Sequence, residues 1–209
     1  MSTIIVDTFL TLDGVMQAPG RPEEDPSDGF SHGGWQVPFF DEAVGEFVGA
    51  GMATTEGLLL GRKSYEILGG FWSKVGPEHP HAAAAEVLNR IPKYVASRTL
   101  TSVDWNSTLL GADVPTAVAK LREQHGGEIH VIGSADLLQT LIRHDLVDEY
   151  RLTIFPVVLG TGKKLFAEGT VPAALRLVET KTTPSGVICA VYRRAGEVTY
   201  GAHPDADLP

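Results

Sequence analysis

The chain predicts an α/β domain whose central sheet is mostly parallel and ends in an antiparallel hairpin. Three observations carry this. Short apolar runs alternate with amphipathic segments through the first two thirds of the sequence, the βαβ order that builds parallel sheets. Near the C-terminus two runs, Leu175 to Thr183 and Gly186 to Arg193, follow each other around Pro184-Ser185-Gly186 with no helix between them. Several strand ends carry Gly, Ser, Arg or Lys, and open sheets of this class bind ligands outside the carboxyl ends of their strands.

The bulk properties narrow the class. With 209 residues, 43% of them hydrophobic, the chain can bury a full-sized core, and no repeat or composition shift marks a second domain. One domain over residues 1–194 is expected, followed by a loose, small and acidic tail over 195–209. A net charge of −9 without a basic stripe argues against a nucleic-acid partner. The single cysteine, Cys189, lies among Val187, Ile188, Ala190 and Val191 and reads as core packing rather than catalysis. No apolar run approaches about 18 residues, so no membrane span is expected. MSTIIVDTFL has no basic segment before its apolar part and reads as a first strand rather than a signal peptide, which implies a soluble cytoplasmic protein.

In chain order, Ile4 to Phe9 is a β-branched strand, and Thr11-Leu12-Asp13-Gly14-Val15 the loop that ends it. Residues 18–34 are dense in Pro, Gly, Asp and Glu without period, a long loop of the kind that forms lids. Phe39 to Met52 predicts a helix with Phe40, Val44, Phe47 and Val48 on one side, although its internal glycines, Gly45, Gly49 and Gly51, weaken it. Residues 69–81 predict a Gly/Pro loop, in which His79 and His81 lack a third ligand for zinc. A short alanine-rich helix, Ala82 to Leu88, comes next. Strands over Pro92 to Thr99 and Val103 to Leu110 follow, and then a helix from Pro115 to Gln124 with Pro in its first turn. Tyr150 to Phe155 is a further strand, followed by the turn-rich Pro156 to Gly162 and the apolar pair Leu165-Phe166.

Two stretches share a pattern that carries chemistry. In Glu128 to Leu137 the strand Ile129, Val131, Ile132 turns through Gly133. Ser134 is positioned to cap the helix that buries Leu137, Leu138, Leu141 and Ile142. Gly57 to Glu66 repeats this with Leu58-Leu59-Leu60, the turn at Gly61, and Arg62, Lys63 and Ser64 at the helix start. The dipole opposes cations at a helix N-terminus, so an anion bound there would account for them. An ordinary βα turn at the first stretch and solvated surface charges at the second are the plainer readings. Arg98 is a third cation just past a strand end.

Taken together, LTLDGVMQAPG, LLLGRKSYE, PKYVASRTL, IHVIGSADLLQTLI and LVDEYRLTIFPVVLGTGKKLF resemble the dihydrofolate-reductase-like superfamily. The closest branch is similar to the reductase domain of the riboflavin-biosynthesis deaminase-reductase. The likeness runs from about Ile4 to Tyr192 and rests on five motifs in order, each weakly specific alone. It implies a three-layer fold of that superfamily, NADPH as cofactor, and hydride transfer to a small pyrimidine- or pteridine-like heterocycle. The implied activity is akin to that of 5-amino-6-(5-phosphoribosylamino)uracil reductase.

Carried over by position, Thr8 and Phe9 would follow the nicotinamide edge, and Leu12, Asp13 and Gly14 would open a mobile covering loop. Gly61, Arg62, Lys63 and Ser64 would contact the pyrophosphate and the 2′-phosphate side, and Ser97 and Arg98 would hold the 2′-phosphate. Gly133, Ser134, Ala135, Asp136 and Leu137 would grip the pyrophosphate. Thr153 matches a substrate-side threonine. One departure stands out. Where folate reductases place a carboxylate on the helix, this chain has Phe40, with the acid one residue later at Asp41, turned by about 100°. Asp41 is therefore either a substrate contact, forming a candidate catalytic pair with Thr153, or a first-turn acid that stabilises the helix. The zinc-binding deaminase half is absent, and no metal site is expected. The resemblance further implies a homodimer joined through the late strands, where Val187, Ile188, Ala190, Val191 and Tyr192 offer an apolar edge. The alternative to an enzyme is a non-catalytic NADP(H)-binding module with a sensing or structural role.

Overall fold

The computed structural model describes residues 1–124 and 126–203. Eight strands form one sheet in the order β4-β3-β2-β5-β1-β6-β8-β7. β1 (Thr3–Thr11), β2 (Thr55–Gly61), β3 (Lys93–Ala96), β4 (Ser107–Leu110), β5 (Glu128–Ile132) and β6 (Glu149–Phe155) run parallel. β8 (Ile188–Arg194) lies antiparallel to β6 and forms a hairpin with β7 (Leu175–Thr182), as the helix-free C-terminal pattern predicts. The helices are α1 (Glu42–Ala53), α2 (Arg62–Trp72), α3 (Ala82–Arg90), α4 (Val114–Gln124) and α5 (Ala135–Arg143).

Strand alternation splits the core between the two faces of the sheet. Ile4, Val6 and Leu10 of β1, with Ile129 and Val131 of β5, pack on Val118 and Leu121 of α4 and on Leu137, Leu138 and Leu141 of α5. On the opposite face Phe155 of β6 and Cys189 of β8 meet Val44 and Phe47 of α1, while Leu58 and Leu60 of β2 meet Tyr65 and Leu88. Layers of helices on both faces are what a parallel sheet requires, because its strands are apolar on each side.

Several boundaries differ from expectation for identifiable reasons. Val37–Phe39 is a separate 3₁₀ turn and Phe40 is extended, so α1 begins only at Glu42, where Asp41 caps it. α2 continues through Gly69 and Gly70 rather than breaking there. A Cβ on Gly69 would come within 3.2 Å of the Trp105 ring, so the glycine allows close helix packing. β3 stops at Ala96 because the Ser97 hydroxyl accepts from the Thr99 and Leu100 N–H groups and turns the chain. The expected apolar edge is largely covered: Val187, Ala190 and Val191 are buried, and exposure passes to Leu177 and Val178 of β7 and to Ile188. Residues 195–203 form no helix or strand, and 204–209 lie outside the described residues. Among the described residues no helix is long and apolar enough to cross a membrane.

Candidate active site

The carboxyl ends of the parallel strands lie along one edge, and the sheet opens there. Pairing between β1 and β5 stops at Asp7 and Ile132, whereas β1 continues beside β6 to Thr11 and Phe155. Beyond Asp7, then, β1 pairs with β6 and no longer with β5.

Two βα turns flank this gap. After Ile132 the chain passes through two consecutive left-handed residues, Gly133 (φ 62°) and Ser134 (φ 70°), before entering α5. Ser134 does not cap α5 with its side chain, contrary to the sequence expectation. Its left-handed backbone turns the hydroxyl across to the neighbouring turn, where it accepts the Gly61 N–H at 2.8 Å. The two turns are in van der Waals contact. A Cβ on Gly61 would lie 3.3 Å from Ser134, and one on Gly133 would lie 3.2 Å from the Ser64 hydroxyl at a φ that disfavours any side chain. Neither α2 nor α5 has a side-chain cap at its start. The first-turn N–H groups of both helices therefore lie side by side at the positive ends of their dipoles, which suits two linked phosphates. Asp136 in the first turn of α5 is the one residue there whose charge opposes an anion.

The cations near these turns are not equivalent. Arg62 donates to both oxygens of Glu66 at 3.1 Å, one turn along α2. Lys63 is bonded to Asp25, which belongs to the long 18–34 loop. Arg98 is exposed and makes no ion pair among the described residues. Asp25 is buried and also receives Lys163 Nζ at 2.7 Å and the Ser27 hydroxyl at 2.6 Å. Burial pushes its carboxyl up, but the bonds from Lys163, Lys63 and Ser27 outweigh that and hold it below the usual carboxylate range. The loop is thus fastened over the α2 turn.

Leu12, Asp13 and Gly14 form a turn tied to the Leu159–Gly160 segment. Asp13 accepts from the Thr11 hydroxyl at 2.6 Å and from the Leu159 and Gly160 N–H groups. These bonds, led by that of Thr11, pull its carboxyl down to about 2. Gly14 takes φ 81° to make the turn.

The expected substrate side is packed. Phe9 meets Phe40 and Phe155 edge-on at centroid distances of 6.2 and 5.4 Å, and Trp35 closes on Phe155 at 5.5 Å. The Thr8 hydroxyl donates to the Phe9 carbonyl. Thr153 is wholly buried opposite Phe9, and its hydroxyl has no hydrogen-bond partner among the described residues. Asp41 makes no hydrogen bond to it among the described residues. One oxygen accepts the Val44 N–H at 2.9 Å and the other the Ser185 N–H at 3.0 Å, so it caps α1 and ties down the β7–β8 turn. The capping bond is the main reason its carboxyl falls to about 2.

Sequence reasoning missed one cluster on this face. Asp7 lies 3.4 Å from His130 Nδ1 and 3.9 Å from Arg151 Nε, all three buried or nearly so. Gly51 makes room for them, since a Cβ there would come within 2.8 Å of Arg151. The signal was present: each is a charged or titratable residue inside an apolar strand, where burial without a partner is costly.

Comparison with known proteins agrees with the architecture. The model of the RibD C-terminal domain family matches residues 2–189. The chain belongs to the RibD C-terminal domain family. Its sequence is 32% identical over 193 residues to YyaP, an uncharacterized protein of Bacillus subtilis, covering 92% of this chain and 95% of that one. Its fold is similar to that of a riboflavin biosynthesis protein from Shewanella, with TM-score 0.64 at 21% identity over 92% of this chain and 99% of that one. It is also similar to dihydrofolate reductase of Enterococcus faecalis, solved with NADP(H), with TM-score 0.58 at 13% identity over 92% and 96%. The family and the fold are those of reductases, and the dihydrofolate-reductase-like, three-layer reading of the sequence holds.

Proposed function

We propose that this RibD-family chain is an NADPH-dependent reductase of a small pyrimidine- or pteridine-like heterocycle. The observation that supports it most is the pair of uncapped helix starts held together by the Gly61–Ser134 bond. Gly61, Arg62, Lys63 and Ser64 on one side and Gly133, Ser134, Ala135, Asp136 and Leu137 on the other would hold the pyrophosphate. Ser97 and the unpaired Arg98 would take the 2′-phosphate, for which a guanidinium is a geometrically matched donor. Thr8 and Phe9, beside the gap between β1 and β5, would meet the nicotinamide. When bound, that group supplies a hydride.

On the substrate side, Phe9 and Phe40 offer aromatic walls and Thr153 a buried hydroxyl still lacking a partner. Asp41 acts by fixing α1 in this reading. The experiment is NADPH oxidation followed at 340 nm with the riboflavin-pathway aminopyrimidine, dihydrofolate and a panel of pteridine-like rings. Turnover of an aminopyrimidine or pteridine other than dihydrofolate is expected. Tight NADPH binding with no turnover on any ring would instead favour a sensing module, a reading that the closed packing around Thr153 and Phe155 supports. We further propose a homodimer through β7, whose Leu177 and Val178 are 47% and 42% exposed. A mass of 22.4 kDa by light scattering at micromolar concentration would exclude it.

A further inference from the structure

We infer that Asp25 is a built-in competitor of the cofactor's phosphate: it occupies Lys63 when the phosphate cradle is empty and yields it when the phosphate arrives. This rests on the cofactor reading above, and goes beyond it by naming what sets the affinity of the site. The cradle between α2 and α5 has uncapped N–H groups, yet both cations at the start of α2 are neutralised by carboxylates of the chain itself. The two pairings differ in kind. Glu66 sits on the same helix one turn from Arg62, an exposed pair of the sort that forms on any helix surface. Asp25 comes from 38 residues away, is buried, and is aimed at Lys63 by a dedicated frame.

That frame is specific. Lys163 and the Ser27 hydroxyl hold the Asp25 carboxylate, and Lys163 also donates to Ser27 at 2.7 Å. The buried Gln17 side chain binds the Asp25 and Ser27 carbonyls at 3.0 and 3.1 Å. With Lys163 and Ser27 bonded to it, Asp25 keeps a satisfied carboxylate after Lys63 leaves, so the exchange strands no buried charge. An open depression of about 260 Å³, lined by Gln17, Ser27, Phe30 and Lys163, lies beside this frame. The bonds from Lys163, Lys63 and Ser27 hold the Asp25 carboxyl below the usual range, so it stays an anion that can compete with a phosphate for Lys63.

The test is calorimetric titration of NADPH, and separately of inorganic pyrophosphate, into wild type, Asp25→Asn, Lys163→Met, Lys63→Met and the Asp25→Asn/Lys63→Met double variant. Asp25→Asn, which keeps the backbone bonds to Gln17, should tighten both ligands by about three- to tenfold. Lys163→Met should weaken both, because Lys63 is then the one cation left on Asp25; this opposite sign keeps the idea testable if Asp25→Asn does not fold. In the Lys63→Met background the Asp25 effect should vanish. Unchanged or weaker binding in Asp25→Asn, or an equal gain without Lys63, overturns the inference while leaving the cofactor reading intact. Pyrophosphate binding in the predicted order with no NADPH binding would retain the competition and remove the cofactor. Binding of neither ligand to any variant would remove both.

Discussion

The two sides of the gap beside β1 are built on opposite principles. On the α2–α5 side, backbone donors are left without side-chain caps, glycines bring two turns into contact, and charges are held in pairs that can exchange. On the α1–β6 side, apolar rings fill the space and the nearby acid is spent on structure. The first leaves its free N–H groups at partly exposed turns, open to water or an anion, whereas the second takes its polar atoms out of water. On the α1–β6 side buried atoms of Thr153 and of the Asp7–His130–Arg151 cluster lack a hydrogen-bond partner among the described residues.

The largest expected effect tests whether the α1–β6 side is truly core. Phe155 is fully buried and contacts both Phe9 and Trp35. Phe155→Ala should cost about 3–5 kcal/mol in urea unfolding and leave NADPH affinity unchanged. A loss below about 1 kcal/mol would mean that the rings part readily and that this region is a pocket rather than core.

Next is the polar side. Arg98→Ala should weaken NADPH by at least about tenfold and NADH hardly at all, since a charge-assisted bond contributes about 1.5–3 kcal/mol. Equal loss for both cofactors would place Arg98 away from the 2′-phosphate. A smaller effect, roughly 1–2 kcal/mol of stability, is expected for Gly133→Ala, because the residue sits at φ 62° and its new methyl would press on Ser64. Weaker NADPH binding should accompany it as the two turns separate. Unaltered binding would show that their contact is only structural.

The sequence was legible where local and global demands agree. The apolar runs named the strands, and the Gly-Arg-Lys-Ser and Gly-Ser-Ala-Asp turns were found at adjacent strand ends because strand period and turn chemistry are short-range signals. What escaped was set by distant partners. Nothing local shows that Asp25 will meet Lys63 and Lys163, or that Asp13 will fasten to Leu159 and Gly160. The position of Ser134 before a helix points to a cap, but the left-handed turn sends its hydroxyl to Gly61 instead. The sequence leaves Asp41 between two roles for the same reason, since only the fold brings Ser185 to its second oxygen.

Asp41 gives the smallest expected effect, and it decides which side of the comparison this residue belongs to. Its carboxyl is lowered from 3.8 to about 2, first by the Val44 N–H and then by that of Ser185. A carboxyl lowered in the folded state stabilises above its unfolded value and loses that contribution as pH falls through the folded value. The stabilisation should therefore be complete at pH 5–7 and fade between about pH 4 and 2. Asparagine caps helices about as well as aspartate, so Asp41→Asn should keep Tm within a few degrees at pH 7 and flatten the acid limb of the wild-type profile. Asp41→Ala, which removes the cap, should lower Tm by about 2–4 °C at pH 7. Reductase turnover should follow Tm in both variants. Should the asparagine variant instead keep its Tm and lose turnover tenfold, Asp41 contacts substrate, and the α1–β6 side opens during the reaction.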